Sequence, residues 1–166
     1  MVPLLIADQK DAEPPANATL PPELAPRARE AKEQFARGNF PEAEKIYREI
    51  LTKAPGDLKA LSNLGVVLFR EKKLEEAKEC FKQAIAVAPE DAFSHCTLGI
   101  VYCTEERWDD AINELTKALA IDSGNATAHS YLGIAAEAKG WHEAAQKELE
   151  AAIRLDPSFK QSPPAP

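Results

Sequence analysis

From Leu58 onward apolar residues fall at helical spacing, Leu58, Leu61, Leu64 and Leu68, until the charged triplet Glu71, Lys72, Lys73 interrupts them. The same period resumes with Leu74, Ala77, Phe81, Ala84 and Ile85 and stops at Pro89. Recurrence every three to four residues puts these side chains on one helical face, so the segment predicts a helix, a short polar turn and a second helix. Pro89 lacks an amide donor and cannot continue the helix it follows. Gly65 and Ala77 remove bulk where the two helices cross, letting Leu64, Leu68 and Phe81 interlock.

This pattern recurs every 34 residues. Pro55, Pro89 and Pro157 lie on one lattice of that period, with Ser123 on its remaining point. Ala43, Ala77, Ala111 and Ala145 share it, as do Ala31, Gly65, Gly99 and Gly133, and again Tyr47, Phe81, Leu115 and Leu149. Four tracks in register over four units identify an internal repeat, in which each helix pair buries its apolar face against the next. Asp91, Asn125, Gly56 and Gly124 supply polar, turn-permissive residues between units.

Composition bounds the rest. Of 13 prolines, six lie in residues 1–26 and three in the last four positions, which predicts a flexible Pro-rich leader over 1–23, a folded block over 24–159 and a flexible tail over 160–166. Twenty Lys and Arg against 27 Asp and Glu give a net charge of −7, a balance that disfavours nucleic acid as the main partner. The charge is uneven: residues 24–91 hold 13 basic and 12 acidic groups, residues 92–159 hold 5 and 11. No apolar run approaches the roughly 20 residues that cross a bilayer, and Val2–Ala7 is short and broken by Pro3, so neither a membrane span nor a secretory signal is predicted and the expected location is cytoplasmic. Cys80, Cys96 and Cys103, an odd number without CxxC spacing, read as reduced thiols.

Candidate chemistry is sparse. The chain has no P-loop, Rossmann glycine pattern, HExxH or GxSxG, so no enzyme activity, metal or cofactor is expected. His95 and His129, one period apart, take equivalent places on successive helices about 8–10 Å apart, too far to share a zinc, and read as packing histidines. Cys96 adjoins His95, but helix neighbours point roughly 100° apart and no orienting third group is evident. Asn17-Ala-Thr19 and Asn125-Ala-Thr127 match a glycosylation pattern too common to carry weight here.

A second apolar stripe remains on the first helices once packing is accounted for. Val66 and Phe69 lie off the face that holds Leu64 and Leu68; Phe93, Cys96, Ile100 and Cys103 recur at spacings of 3, 4 and 3; Tyr131 and Ile134 extend the stripe.

The segment from His95 through Leu98, Gly99 and Tyr102, followed by Ala111, Leu115 and Ala118, resembles the tetratricopeptide repeat, with His95 where that family often has Trp. The resemblance covers four units, 24–57, 58–91, 92–125 and 126–159, and implies an all-α, right-handed solenoid of four antiparallel helix pairs without β-sheet. Arg27, Glu30 and Gln34 depart from the apolar pattern and read as the polar outer face of a terminal unit. The other end is expected to lack a solvating helix, leaving Leu149, Ala152 and Ile153 partly open to water or to a partner, such as a second copy.

In that family the first helices line a concave groove. The resemblance therefore implies a protein-interaction adaptor that holds a peptide or amphipathic helix. The stripe side chains Val66, Phe69, Phe93, Cys96, Ile100, Cys103, Tyr131 and Ile134 face either that ligand or the neighbouring unit. Arg29, Lys32 and Lys59 form a basic start, and Ser62, Asn63, Thr97, Thr127, Ser130 and Glu137 surround the apolar centre, an arrangement suited to an acidic group directed at the first unit. The carboxylate clamp that holds chaperone tails is absent: Asn63 fits, but Ala28, Lys32, Phe93 and Thr97 occupy its other places. Competing readings are a self-assembling unit that stacks through its C-terminal end, with leader residues Val2, Leu4, Leu5 and Ile6 seated in a groove, and the regulatory arm of a larger protein.

Overall fold

Eight α-helices follow one another in residues 20–160, the part of the chain that the computed structural model describes. They are α1 (Ala25–Ala36), α2 (Phe40–Lys53), α3 (Leu58–Arg70), α4 (Leu74–Val87), α5 (Ala92–Thr104), α6 (Trp108–Ile121), α7 (Ala126–Ala138) and α8 (His142–Leu155), with 3₁₀ turns at Pro22–Leu24 and Pro157–Lys160. No strand occurs among the described residues. Each first helix packs on its own second helix, each second helix packs on the next first helix, and α5 also touches α3 and α7. The result is an all-α solenoid.

Local chemistry sets each boundary. Asp57, Asp91 and Asn125, one period apart, cap α3, α5 and α7 by accepting a hydrogen bond from the amide three residues on, at 2.7, 2.9 and 2.9 Å. Each first helix ends on a left-handed residue, again one period apart: Gly38, Lys72, Glu106 and Gly140, with φ of 77°, 61°, 56° and 75°. At Lys72 and Glu106 a side chain accepts a conformation in which glycine has the advantage.

The helix crossings explain the Gly track. A Cβ on Gly99 would stand 2.6 Å from Leu115 Cγ, one on Gly65 2.7 Å from the Phe81 ring, and one on Gly133 2.8 Å from Leu149 Cγ. Ala77 and Ala111 are fully buried opposite, and one apolar core runs from Leu24 to Ala135.

At both ends particular residues depart from expectation. Residues 1–19 and 161–166, including Val2, Leu4, Leu5, Ile6 and Asn17, lie outside the described residues. Of the leader's last residues, Leu20 packs on the core and Pro22–Leu24 form a turn that feeds α1, because proline's fixed φ suits a helix start. Arg27 pairs with Glu30 and reaches Glu49 on α2, and Asn39 donates to Gln34 at 3.0 Å, so the polar outer face also ties α1 to α2. At the other end Ala152 is only 1% exposed: like Ala84 and Ala118 on its lattice it belongs to the buried core track and does not face outward. Leu149 and Ile153 are half-buried, and the Pro157–Lys160 turn packs against α8.

Overpacking a tight crossing costs about 1–3 kcal/mol, of which the helix propensity of alanine returns about 1. Gly99→Ala is expected to lower the urea midpoint by about 1 kcal/mol of stability. Gly133→Ala should lose less, because half-buried Leu149 has room to turn where buried Leu115 does not. Equal losses at the two sites would contradict this account of the crossings.

Candidate functional site

The first helices stand side by side, and the residues expected on their shared face separate into two groups. Arg29, Lys32, Lys59 and Phe93 are exposed, Phe93 by 48%, while Asn63, Val66, Phe69, Thr97, Ile100, Thr127, Tyr131 and Ile134 are half-buried. Ser62, Cys96, Cys103 and Ser130 are buried and do not belong to an open surface. The physical reason is the close approach of adjacent first helices. Ser62 Oγ lies 3.1 Å from Ser94 Oγ on α5, and Cys103 Sγ points at the Tyr131 carbonyl at 4.0 Å on α7. Ser130 Oγ has no hydrogen-bond partner among the described residues. The stripe of four on α5 therefore splits, with Phe93 exposed, Ile100 half-buried, and Cys96 and Cys103 turned inward.

At the N-terminal end a cavity of about 640 Å³ brings together Arg29, Lys32, Lys59 and Asn63, with Leu20 and Tyr47 in its wall. A smaller one of about 120 Å³ continues it past Lys32 and Asn63 to Phe35 and Val66. Among the described residues Arg29, Lys32 and Lys59 form no ion pair, in contrast to Arg27, Arg48, Lys73, Lys78 and Arg107. The one carboxylate in the lining, Asp57, is spent on capping α3. The cavity is thus lined by three cations and one carboxylate, and none of the three cations forms an ion pair among the described residues. Further along, Thr97 Oγ1 donates to the Phe93 carbonyl at 2.8 Å, which leaves the hydroxyl oxygen free to accept.

Both packing histidines have partners that the sequence reading missed. His95 Nδ1 lies 2.7 Å from Glu114 Oε2 and its Nε2 3.1 Å from the Pro89 carbonyl; His129 repeats this with Glu148 at 2.6 Å and the Ser123 carbonyl at 3.2 Å. Each joins a first helix to its second helix and to the preceding loop. The signal was available: Glu114 and Glu148 occupy the lattice place held by Cys80 in the second unit, where Leu61 stands in place of histidine. Apolar faces apolar in one unit, and imidazole faces carboxylate in the next two.

Nucleophilic chemistry finds little footing. Burial pushes the thiols of Cys80 and Cys103 up to about 11 and that of Cys96 up to about 12, so all three are protonated near neutrality. Asn125 uses its side-chain oxygen as the α7 cap. No group of three or more metal-ligating side chains occurs among the described residues, and none of their helices is long and apolar enough to cross a membrane.

Two family models, each described as tetratricopeptide repeat, match residues 56–124 and 104–161 and together take in well over half the chain. No curated protein sequence matches it. Among solved structures, MamA is 24% identical with a TM-score of 0.73, over 79% of this chain and 77% of that one. A MamA chain from Desulfovibrio magneticus RS-1 is 19% identical with a TM-score of 0.76, over 84% and 78%. A thermophilic tetratricopeptide repeat protein of Thermus thermophilus is 20% identical with a TM-score of 0.72, over 80% and 74%. At these identities the likeness is one of fold.

Removing one member of a buried polar pair leaves the other desolvated, at about 3–5 kcal/mol when nothing else compensates. Lys117 also holds Glu114, at 2.8 Å, so His95→Leu is expected to lose about 2 kcal/mol. The double variant His95→Leu/Glu114→Cys, which copies the second unit's own pair, should regain at least half of that in a denaturation cycle. Additive losses would show that the two side chains are not coupled.

Proposed function

The chain belongs to the tetratricopeptide repeat family, whose arrays are generally non-catalytic protein-interaction scaffolds, and from that premise we propose that it is an adaptor that holds a peptide segment or an amphipathic helix along its first helices. The observation that carries this reading is the division of one face into a cationic end and an apolar middle. Arg29, Lys32 and Lys59 outnumber the single carboxylate, Asp57, around a cavity, and beyond them Phe93 is exposed and Ile100 half-buried, so both keep some apolar surface in the open. Apolar anchors would supply most of the affinity there, and an acidic group directed at the first unit would set the direction of the bound segment. Val66, Tyr131 and Ile134, all half-buried, extend the apolar part to either side.

A net charge of −7 supports a protein partner over a nucleic acid. Three unpaired, buried thiols fit a reducing, cytoplasmic setting. Self-association through the C-terminal end is the second reading. It is supported by Leu155, which is 44% exposed, and by Leu149, which is less covered than its lattice mates Phe81 and Leu115. It is weakened by Glu137, His142 and Gln146, polar residues at the places of Cys103, Trp108 and Ile112.

Placing a carboxylate at the centre of an apolar contact removes about 2 kcal/mol or more, a loss of roughly 30-fold in affinity. Ile100→Glu is accordingly expected to abolish affinity capture of the partner while leaving the far-ultraviolet circular dichroism unchanged. Undiminished capture by that variant rejects the groove. Leu149→Glu should leave capture intact, and a fall in oligomer mass with it would favour end-to-end assembly instead.

A further inference from the structure

The two characters of the open face occur in a fixed order, cationic nearest the first unit and apolar beyond it. The residues that precede Leu20 carry the complementary characters in the same order. Counting back from Leu20, the chain meets Glu13, Asp11 and Asp8, with Lys10 the one cation among them, and then the apolar run Val2-Pro3-Leu4-Leu5-Ile6. Leu20 itself lines the cavity that holds Arg29, Lys32 and Lys59, so the segment joins the described structure at the mouth of the groove.

We infer that residues 2–13 of this chain occupy its own groove, acidic residues over Arg29, Lys32 and Lys59 and the Val2–Ile6 run over Phe93 and Ile100, so that an outside partner binds by displacing them. The inference rests on the adaptor reading of the same face and adds how that face is regulated.

Reach permits it. At no more than about 3.3–3.6 Å per residue, the seven residues from Leu20 back to Glu13 span up to about 23–25 Å and the fourteen back to Ile6 up to about 46–50 Å. Packed helices stand about 8–10 Å apart, which puts α5 roughly 16–20 Å from α1. Each part of the segment reaches its counterpart with chain to spare. Tethering also lowers the affinity required. A short linker gives an effective concentration on the order of 1 mM, so a segment with an intrinsic Kd of about 100 μM would fill the groove roughly nine-tenths of the time. A competitor would then see its affinity reduced about tenfold.

The test uses the full chain and a labelled synthetic peptide of residues 1–19. Substituting Leu4→Asp, Leu5→Asp and Ile6→Asp together changes no residue of the eight helices. The peptide is expected to bind this triple variant about tenfold more tightly than the unmodified chain, and adding Ile100→Glu to the triple variant should remove the binding. Equal affinity for both chains, or binding to neither, overturns the inference. So does a dimer in sedimentation that the triple substitution dissolves, since the segment would then be serving a second copy. Partner capture separates the two levels: if Ile100→Glu still abolishes capture while the peptide binds neither chain, only the inference about the leader fails; if capture is indifferent to Ile100→Glu, the adaptor reading fails beneath it.

Discussion

Within each pair the first helix presses so closely on the second that the contact leaves no room for a side chain at Gly65, Gly99 or Gly133, where an added methyl would meet Phe81, Leu115 or Leu149 at 2.6–2.8 Å. Close approach is what allows two short helices to exclude water from one another, since the dispersion and hydrophobic terms depend on atoms in contact. It also dictates the rest of the unit. A residue without bulk on α3, α5 and α7 must face a large residue on α4, α6 and α8, and Ala77 and Ala111 must be small in return. Once the crossing is set, each first helix has one side committed to its partner, and its remaining sides must either meet the neighbouring unit or face outward.

That allocation decides which apolar side chains remain for a ligand. Between adjacent first helices the hydrogen-bond contacts are made by small groups: Ser62 with Ser94, and the thiol of Cys103 with the backbone of α7. Lys78, itself buried, bonds both carboxylate oxygens of Glu105 at 2.8 Å and so ties α4 to the end of α5. Small groups let the first helices approach. Larger apolar residues on the same helices are covered less completely: Phe93 is exposed, and Ile100 is half-buried against the core.

The 34-residue lattice made the helices, the turns between units and the crossings legible in the sequence, because backbone hydrogen bonding and side-chain bulk act locally and leave a period there. Asp57, Asp91 and Asn125 cap where turn-forming residues were expected, and the Gly track marks the crossings. The division of the apolar stripe was not legible. Phe93, Cys96 and Ile100 are three and four residues apart and fall within one broad arc of the helix, so their sequence spacing is the same whether α7 leans over one edge of the arc or the other. The His95–Glu114 and His129–Glu148 pairs were hidden for a different reason. A glutamate amid helical charges reads as surface until its lattice mate, Cys80, shows that the place is interior.

The last unit bears on which surface the chain uses. At three lattice places where the third unit has Cys103, Trp108 and Ile112, buried or half-buried, the fourth has Glu137, His142 and Gln146, all exposed, and His142 Nδ1 lies 2.9 Å from Glu137 Oε1. Its aromatic residue, Trp141, stands one position earlier than Trp108 and is half exposed beside Lys139. Polar residues at places that elsewhere contact a neighbour reduce the gain from adding one, since each would have to be desolvated without a matched partner. On the open face the exchange is partial: Val66, Ile100 and Ile134, one period apart, stay apolar in three successive units, while Phe93 gives way to Thr127 and the Phe69 place becomes Glu137 in the fourth. Stacking would gain from apolar residues at the last unit's outer places, whereas the apolar track that persists, Val66, Ile100 and Ile134, lies along the first helices, and that persistence favours the groove over the end.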